Sequence, residues 1–418
     1  MQSWVRGAPG VFGVSAVPFP FRADSMLGRD AQSGGHDKAA RYLASEAARL
    51  GLQPAGESGS WFQTVPLGVR RLSSESRIVV PGATLRPTRD FKVFPVGHGQ
   101  LRPIAGARVV FGGMVGDTAR QIPAPAAAGR IVLLGVPADM TAERVYRDIV
   151  YGPTSRFGQA VAVAIASLDY LPRERRVITS LVGIANAGGP AASDQPSSIL
   201  VTESAARLML GRGLKDAVPG TLGEVIQGRL PIDERSTPTK NVVATLPGAD
   251  PALRATYVAL GAHSDHIGLA PIPLDHDSVR AAAITRTGLG ALGGEREAAR
   301  AISIDSIRRL RAQRADSVFN GADDDDSGSV ALLEIANALS LSRERPRRSI
   351  LFVWHGAEEA GLVGSRWFMD HPTVPRDSIA FEINLDMIGR GTNDTSGTGR
   401  RVLQLIGAGR LPRELTSC

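Results

Sequence analysis

Four consecutive aspartates, Asp323 to Asp326, are the most unusual chemical feature of this sequence. Adjacent carboxylates repel one another unless cations or solvent surround them. Leu332, Ile335, Ala336 and Leu339 follow at helical spacing, so the aspartates precede a helix that buries one face. A helix start favours one or two acidic caps, and four carboxylates exceed that need. The run therefore indicates a divalent metal site at the start of this helix.

Further residues of metal-binding type follow three short segments that are strand candidates. They are His263 and Asp265 after the run 256–261, Glu358 and Glu359 after 349–354, and Asp386 after 381–385. Strands that alternate with helices form a largely parallel sheet, and ligands bind beyond the carboxyl ends of such strands. The sequence therefore predicts that these side chains and the aspartates meet at one edge of a sheet.

The donor types favour zinc over other metals. Imidazole and carboxylates suit zinc, with manganese or cobalt as second choices. The only cysteine is Cys418, so a thiolate zinc site is excluded. Two adjacent ions bridged by one carboxylate would lower the pKa of a shared water to roughly 7 and so generate a hydroxide nucleophile. The consecutive pair Glu358 and Glu359 allows one glutamate to bind metal and the other to carry a proton.

Four sequence blocks in fixed order resemble the M28 family of metallopeptidases, which are cocatalytic zinc aminopeptidases. The blocks are AHSDH at 262–266, NGADDDDSG at 320–328, GAEEAGLVGS at 356–365 and NLDMIGR at 384–390. The resemblance implies two zinc ions and a cis peptide bond between Asp324 and Asp325. It also implies these roles: His263 and Asp386 as ligands of one zinc, Glu359 as ligand of the other, Asp324 as the bridge, Glu358 as general base and acid, and Asp265 as the partner that orients the His263 ring.

Two departures from the family pattern affect the expected site. The family supplies a final histidine ligand from well beyond the last block, whereas no histidine follows His371 here. We therefore expect a sequence truncated at its carboxyl end, with a weakened second zinc site. A long segment, 268–315, also separates His263 from Asp324 more than in compact members. The other histidines, His266 and His355 among them, are interpreted as surface or packing residues.

The domain organisation is predicted from changes in residue composition and pattern along the chain. Residues 1–22 are interpreted as a poorly ordered or signal-like segment. Residues 74–235 consist of short β-rich runs divided by Gly and Pro, and GRIVLL at 129–134 and SILVT at 198–202 resemble a protease-associated domain. Residues 23–73 and 236–418 then form the peptidase-like domain. The predicted fold class is α/β, with a zinc-exopeptidase-like, mixed and largely parallel sheet, helices on both faces, and the inserted β-rich domain.

Composition excludes several classes of protein. The content of 43% hydrophobic and 21% charged residues is typical of a soluble globular protein, without an apolar run long enough to span a membrane. The net charge is +7, but the basic residues are scattered and aromatic residues make up only 5%. Since no nucleic-acid motif accompanies them, we expect no nucleic-acid partner. The expected partner is a peptide or a small amide.

The expected activity is zinc-dependent hydrolysis of amino-terminal peptide bonds by a metal-bound hydroxide, with Glu358 as general base. Two alternatives remain open. In the first, the chain is a catalytically impaired, truncated relative that only binds ligands. In the second, it performs amide hydrolysis or glutaminyl cyclisation on the same scaffold. Family habit predicts a secreted or periplasmic location.

Overall fold

The computed structural model describes residues 23–94, 101–140, 156–171, 180–184, 196–275, 304–310, 312–313 and 315–389. It divides the chain into two compact units, Met1–Val65 with Pro238–Cys418, and Pro66–Thr237. The second unit begins earlier than residue 74, the predicted start of the β-rich domain, because the strand from residue 67 to 72 belongs to this unit. The signal-like segment 1–22 lies outside the described residues.

The strands and helices are numbered in chain order. The strands are β1 Gln53–Pro54, β2 Phe62–Val65, β3 Leu67–Leu72, β4 Arg77–Val80, β5 Ala83–Leu85, β6 Phe91–Phe94, β7 Ile104–Met114, β8 Ile131–Gly135, β9 Ala162–Ile165, β10 Ser180–Ile184, β11 Ser197–Val201, β12 Leu222–Arg229, β13 Ile232–Ser236, β14 Thr239–Leu246, β15 Tyr257–His263, β16 Leu269–Asp275, β17 Ala315–Val318, β18 Ser349–His355 and β19 Ile379–Asn384. The α-helices are α1 Gly34–Arg49, α2 Glu203–Leu210, α3 Ile304–Leu310, α4 Asp326–Leu341 and α5 Val363–Asp370.

The first unit is built on a six-stranded sheet in the order β1-β14-β18-β15-β19, with β2 also paired to β14. The predicted mixed α/β fold is confirmed. Parallel pairing joins β18, β15 and β19, and the pairs that β14 makes are antiparallel. All seven residues of β18, SILFVWH, are buried, which explains why its central run ILFVW is continuously apolar rather than alternating.

Helices cover both faces of this sheet, as predicted. On one face Leu43 of α1 and Leu332 of α4 join Phe352 and Trp354 in one hydrophobic cluster. On the other face Phe368 of α5 packs in a second cluster with residues of β14, β15 and β18. Successive residues of β18 enter opposite clusters because side chains alternate along a strand. The sheet is therefore fixed between two apolar layers.

The two ends of the segment 268–315 lie side by side within the first unit. Strand β16 pairs antiparallel with β17, with Leu269 opposite Val318. Within the predicted helical run 295–314, helix α3 spans Ile304–Leu310, and Arg308 forms an ion pair with Asp275. Because the two ends of the segment 268–315 are paired, Asp324 lies near β15 although the two are far apart in sequence.

The second unit contains an eight-stranded sheet, β5-β4-β12-β7-β8-β9-β11-β6, and a three-stranded sheet, β10-β3-β13. Two hydrophobic clusters lie within it, one that includes Phe91 and Phe111 and one that includes Phe157. Its relation to protease-associated domains stays a prediction. Within the described part of both units, no helix has the length and apolar character needed to cross a bilayer.

Candidate metal centre

The strand register brings the predicted site residues to one edge of the sheet. His263, the last residue of β15, is the direct partner of His355, the last residue of β18. Gly261 pairs with Asn384, the last residue of β19, so Asp386 follows at the same edge. The main-chain carbonyl of His263 accepts a hydrogen bond from Ser329 Oγ of α4, which ties the start of that helix to β15. The chain therefore gathers residues from four elements.

One group of donor atoms contains His263, Asp324 and Asp386. His263 is 2% exposed, and its Nε2 lies 3.0 Å from Asp324 Oδ1 and 3.6 Å from Asp386 Oδ1. The three donor atoms lie within 4.8 Å of one another. The structure thus brings together the two residues predicted for the first metal and the predicted bridge.

A second group contains Asp324, Glu359 and His266, again with donor atoms within 4.8 Å of one another. Asp324 is shared by both groups, as a bridging ligand must be. His266, which the sequence analysis interpreted as a surface or packing residue, lies in this cluster with its Nδ1 2.6 Å from Glu359 Oε1. The sequence signal was the second histidine in AHSDH, three residues after the first.

The donor atoms fit a divalent cation. His263 Nε2 and His266 Nδ1 are buried and, among the described residues, form no hydrogen bond, although carboxylate oxygens are close. Burial lowers the pKa of His263, but the carboxylates of Asp324 and Asp386 outweigh burial and raise it to about 11. The cluster therefore favours a positive charge beside its carboxylates. A bound metal ion would supply that charge without protonation of the His263 ring. Imidazole with carboxylates is a donor set suited to zinc.

Asp265 contacts the site differently from its predicted role. The ring Nδ1 of His263 lies 3.1 Å from the main-chain oxygen of Asp265, and 3.8 Å from Oδ1 of its carboxylate. That carboxylate instead accepts hydrogen bonds from the main-chain N–H groups of Glu358, at 2.9 Å, and Glu359, at 3.3 Å. Burial raises the pKa of Asp265 to about 7 against the opposing effect of His263. Asp265 thus holds the turn that carries both glutamates.

Three of the four aspartates, Asp323, Asp324 and Asp325, make different contacts. Asp325 is the N-cap of α4 and accepts hydrogen bonds from the N–H groups of Gly328 and Met387 on Oδ1 and of His263 on Oδ2. Asp323 accepts a hydrogen bond from Gly389 N at 2.9 Å. Asp324 alone among the four belongs to both donor groups. The predicted cis peptide bond between Asp324 and Asp325 is confirmed.

Arg29 is a buried residue that the sequence analysis missed. Its guanidinium donates hydrogen bonds to the main-chain oxygens of Ser264 at 3.1 Å, Asn320 at 2.7 Å and Gly321 at 3.0 Å. Burial lowers its pKa, and the nearby carboxylates, Asp326 first, raise it. The side chain therefore joins the loop after β15 to the loop before α4. Nothing in its local sequence distinguishes it from the other basic residues.

Comparison with known sequences identifies the segment that forms the site. Residues 241–404 match the sequence profile described as Peptidase family M28. All residues of both donor groups lie within these bounds. This part of the chain belongs to peptidase family M28.

Several named relatives are similar to short stretches of the chain. Leupeptin-inactivating enzyme 1 of Streptomyces exfoliatus is 43% identical over 83 residues, which is 19% of this chain and 19% of that protein. An aminopeptidase of Pseudomonas aeruginosa is 39% identical over 75 residues, covering 18% of this chain and 14% of the relative. The matched stretches therefore span less than a fifth of the length of either relative.

Two solved structures align with most of the chain at TM-scores below 0.5. The aminopeptidase from Aneurinibacillus sp. strain AM-1 aligns with a TM-score of 0.44 and 16% identity, over 88% of this chain and 69% of that one. A zinc aminopeptidase from Bacillus subtilis aligns with a TM-score of 0.42 and 16% identity, over 89% of this chain and 68% of that one.

A cavity of about 360 Å³ adjoins the donor atoms within the M28 segment. Burial lowers the pKa of His355 to about 4 and raises the pKa of Glu382, so the cavity wall presents a neutral imidazole beside an acidic group. Its lining comprises His263, His355, Glu358, Leu362, Ser365, Glu382, Asn384 and Asp386. A substrate in this cavity would therefore contact the metal ligands and Glu358 together.

Proposed function

We propose that this chain is a two-zinc aminopeptidase that hydrolyses the peptide bond after a free amino-terminal residue. One observation carries the proposal: Asp324 belongs to two adjacent donor groups, and Glu358 lies beside them without belonging to either. The M28 relationship and the aminopeptidases among its relatives support the same reaction. A secreted or periplasmic location stays a prediction.

The metal ligands have the following proposed roles. His263 and Asp386 would hold one ion, Glu359 would hold the other, and Asp324 would be shared by both. When bound, the two ions polarise the scissile carbonyl and lower the pKa of a water molecule. Asp265 fixes the main chain of Glu358 and Glu359 through its carboxylate, so both glutamates keep their positions relative to His263.

Glu358 is the proposed proton carrier. Its Oε2 lies 3.8 Å from His263 Nε2, so the carboxylate faces the cluster. Burial raises the pKa of Glu358, and the neighbouring His263 opposes this effect. A raised pKa makes the carboxylate a better acceptor for the proton of the attacking water and a competent donor to the leaving amine. Carboxylates along the cavity, Glu382 among them, offer a negative environment for the substrate's free ammonium group.

Hydrolysis of leucine anilide tests this proposal. The full chain is stripped with a chelator and reconstituted with zinc, and its rates on leucine anilide, N-acetyl-leucine anilide and a glutaminyl peptide are compared. We expect zinc-dependent cleavage of the free-amine substrate, and none of the acetylated one. Ammonia release from the glutaminyl peptide without anilide cleavage would show cyclisation instead. A chain that binds two ions and converts none of these substrates would contradict the aminopeptidase proposal.

A further inference from the structure

We propose that His266 is the imidazole ligand of the second metal site, together with Asp324 and Glu359. The inference deepens the proposed function, since it rests on a site for two ions. It assigns a ligand from the loop directly after β15, three residues from the ligand of the first ion.

The orientation of the His266 ring carries this inference. Its Nδ1 is 2.6 Å from Glu359 Oε1, yet the contact lacks the alignment of a hydrogen bond. The ring is only 11% exposed, so within the described part of the chain a buried nitrogen is left without a hydrogen-bond partner. Burying such an atom without a hydrogen-bond partner is unfavourable, because its interaction with water is lost and not replaced. A cation bound by both the nitrogen and the carboxylate would satisfy both, since ligands of one ion face that ion and not each other.

The surrounding main chain holds the ring in this place. His266 donates its N–H to the carbonyl of Arg29 at 3.2 Å. Gly321 has a φ of +58°, and a Cβ built there would lie 2.6 Å from His266 Cγ. The absence of a side chain at Gly321 therefore leaves the space that the imidazole occupies. Arg29 fixes Gly321 in turn by donating to its carbonyl at 3.0 Å.

The composition of the two donor groups supports the same assignment. With His266, each group has one imidazole and two carboxylates, and Asp324 is common to both. Among the described residues, the second group without His266 would retain only Asp324 and Glu359, an all-oxygen set better suited to magnesium, calcium or manganese than to zinc. His266 therefore gives the second position the same preference for zinc as the first.

Zinc counting on the full chain tests the inference. Apo protein is titrated with Zn²⁺ by calorimetry, and bound ions are counted by elemental analysis after gel filtration. We expect two ions for the natural sequence. His266→Ala and the more conservative His266→Gln should each retain one ion at unchanged affinity and weaken the second at least ~10-fold. His371→Ala, which removes an exposed histidine outside the cluster, is the matched control and should retain both ions.

A comparison with Glu359→Ala identifies which ion is lost. Glu359→Ala and His266→Ala should remove the same ion, so the double variant should still bind one. Circular dichroism of the apo variants checks that the fold is intact. Two ions bound at unchanged affinity in both His266 variants would overturn the inference. Equal metal content in His266→Ala and in the natural sequence would also overturn it.

The metal count separates this inference from the proposed activity. Loss of one ion in the His266 variants, with no anilide hydrolysis by the natural sequence, would refute the aminopeptidase proposal and leave the ligand assignment standing. Conversely, zinc-dependent hydrolysis with two ions in His266→Ala would refute only the ligand assignment.

Discussion

Glu358 differs from the other carboxylates at the cluster because its donor atom belongs to neither metal group. Its removal should therefore affect proton transfer and not metal binding. We predict that Glu358→Gln lowers kcat by at least ~10²-fold, the lower end of the usual contribution of a general acid or base. The main-chain bond to Asp265 is retained in this variant. Elemental analysis should still show two zinc ions.

The matched control is Glu382→Gln, which removes another carboxylate of the same cavity. Because Glu382 is outside both donor groups and lies against His355 at 4.0 Å, its loss should alter KM more than kcat. An equal fall in kcat for both variants would show that cavity charge matters and that Glu358 has no special role.

His36 makes the stability of the fold depend on pH. Its buried ring lies 3.0 Å from Ser264 Oγ and 2.8 Å from Thr239 Oγ1, and burial lowers its pKa from 6.5 to about 4. Between these values the unfolded chain binds a proton that the folded chain does not, so stability falls as the pH drops below 6.5. At about 1.4 kcal/mol per pH unit, His36 should cost about 2 kcal/mol between pH 7 and pH 5.

Urea unfolding of the metal-free chain at pH 7 and pH 5 measures this loss. His36→Gln keeps a polar side chain at the site without titrating in this range. The free energy of unfolding of the variant should therefore fall by about 2 kcal/mol less over the same interval. Equal losses in the two proteins would mean that His36 is not buried as a neutral ring.

At the scale of elements, the start of α4 depends on Asp325. This carboxylate accepts three main-chain hydrogen bonds, from β15, from α4 and from the loop after β19. Asparagine has one oxygen and would turn its NH₂ group toward at least one of these N–H donors. We predict that Asp325→Asn lowers the free energy of unfolding by about 1–3 kcal/mol. Urea denaturation of the metal-free chain measures the change.

Asp323→Asn is the appropriate comparison for Asp325. Asp323 is only partly buried, and its bond to Gly389 N ties down a single loop. Its replacement should therefore cost less than the replacement of Asp325. The reverse order would show that the cap of α4 contributes little to stability.

The elements were more predictable than the contacts between them. Short strand-like segments indicated β15, β18 and β19, although β19 alternates apolar and polar residues and is mostly exposed. The ends of neighbouring parallel strands meet at one edge, so the place of His263 and Asp386 followed. His266 and Arg29 could not be predicted this way. Arg29 donates to Asn320, 291 positions away, and such a contact has no local pattern in the sequence. The cis bond at Asp324 followed only from resemblance to a family.

At the scale of the whole molecule, the two units have separate cores. The clusters around Trp354 and Phe368 belong to the first unit, and those around Phe91 and Phe157 to the second. All residues of the metal cluster lie in the first unit. A core of its own is what a unit needs to fold alone. The first unit should therefore fold and bind metal without residues 66–237.

The register of β2 and β14 shows how to make this deletion. Val65 is the direct antiparallel partner of Thr239, so the chain leaves and re-enters the first unit at facing residues of one strand pair. Replacing residues 66–238 with Asn-Gly would join them as a two-residue hairpin, the turn that this dipeptide favours. We predict that the shortened chain unfolds cooperatively and still binds two zinc ions. A second version with a longer Gly-Ser linker shows whether a failure to fold is caused by strain in the turn or by the inability of the first unit to fold alone. If neither version folds, the first unit depends on the second for its stability.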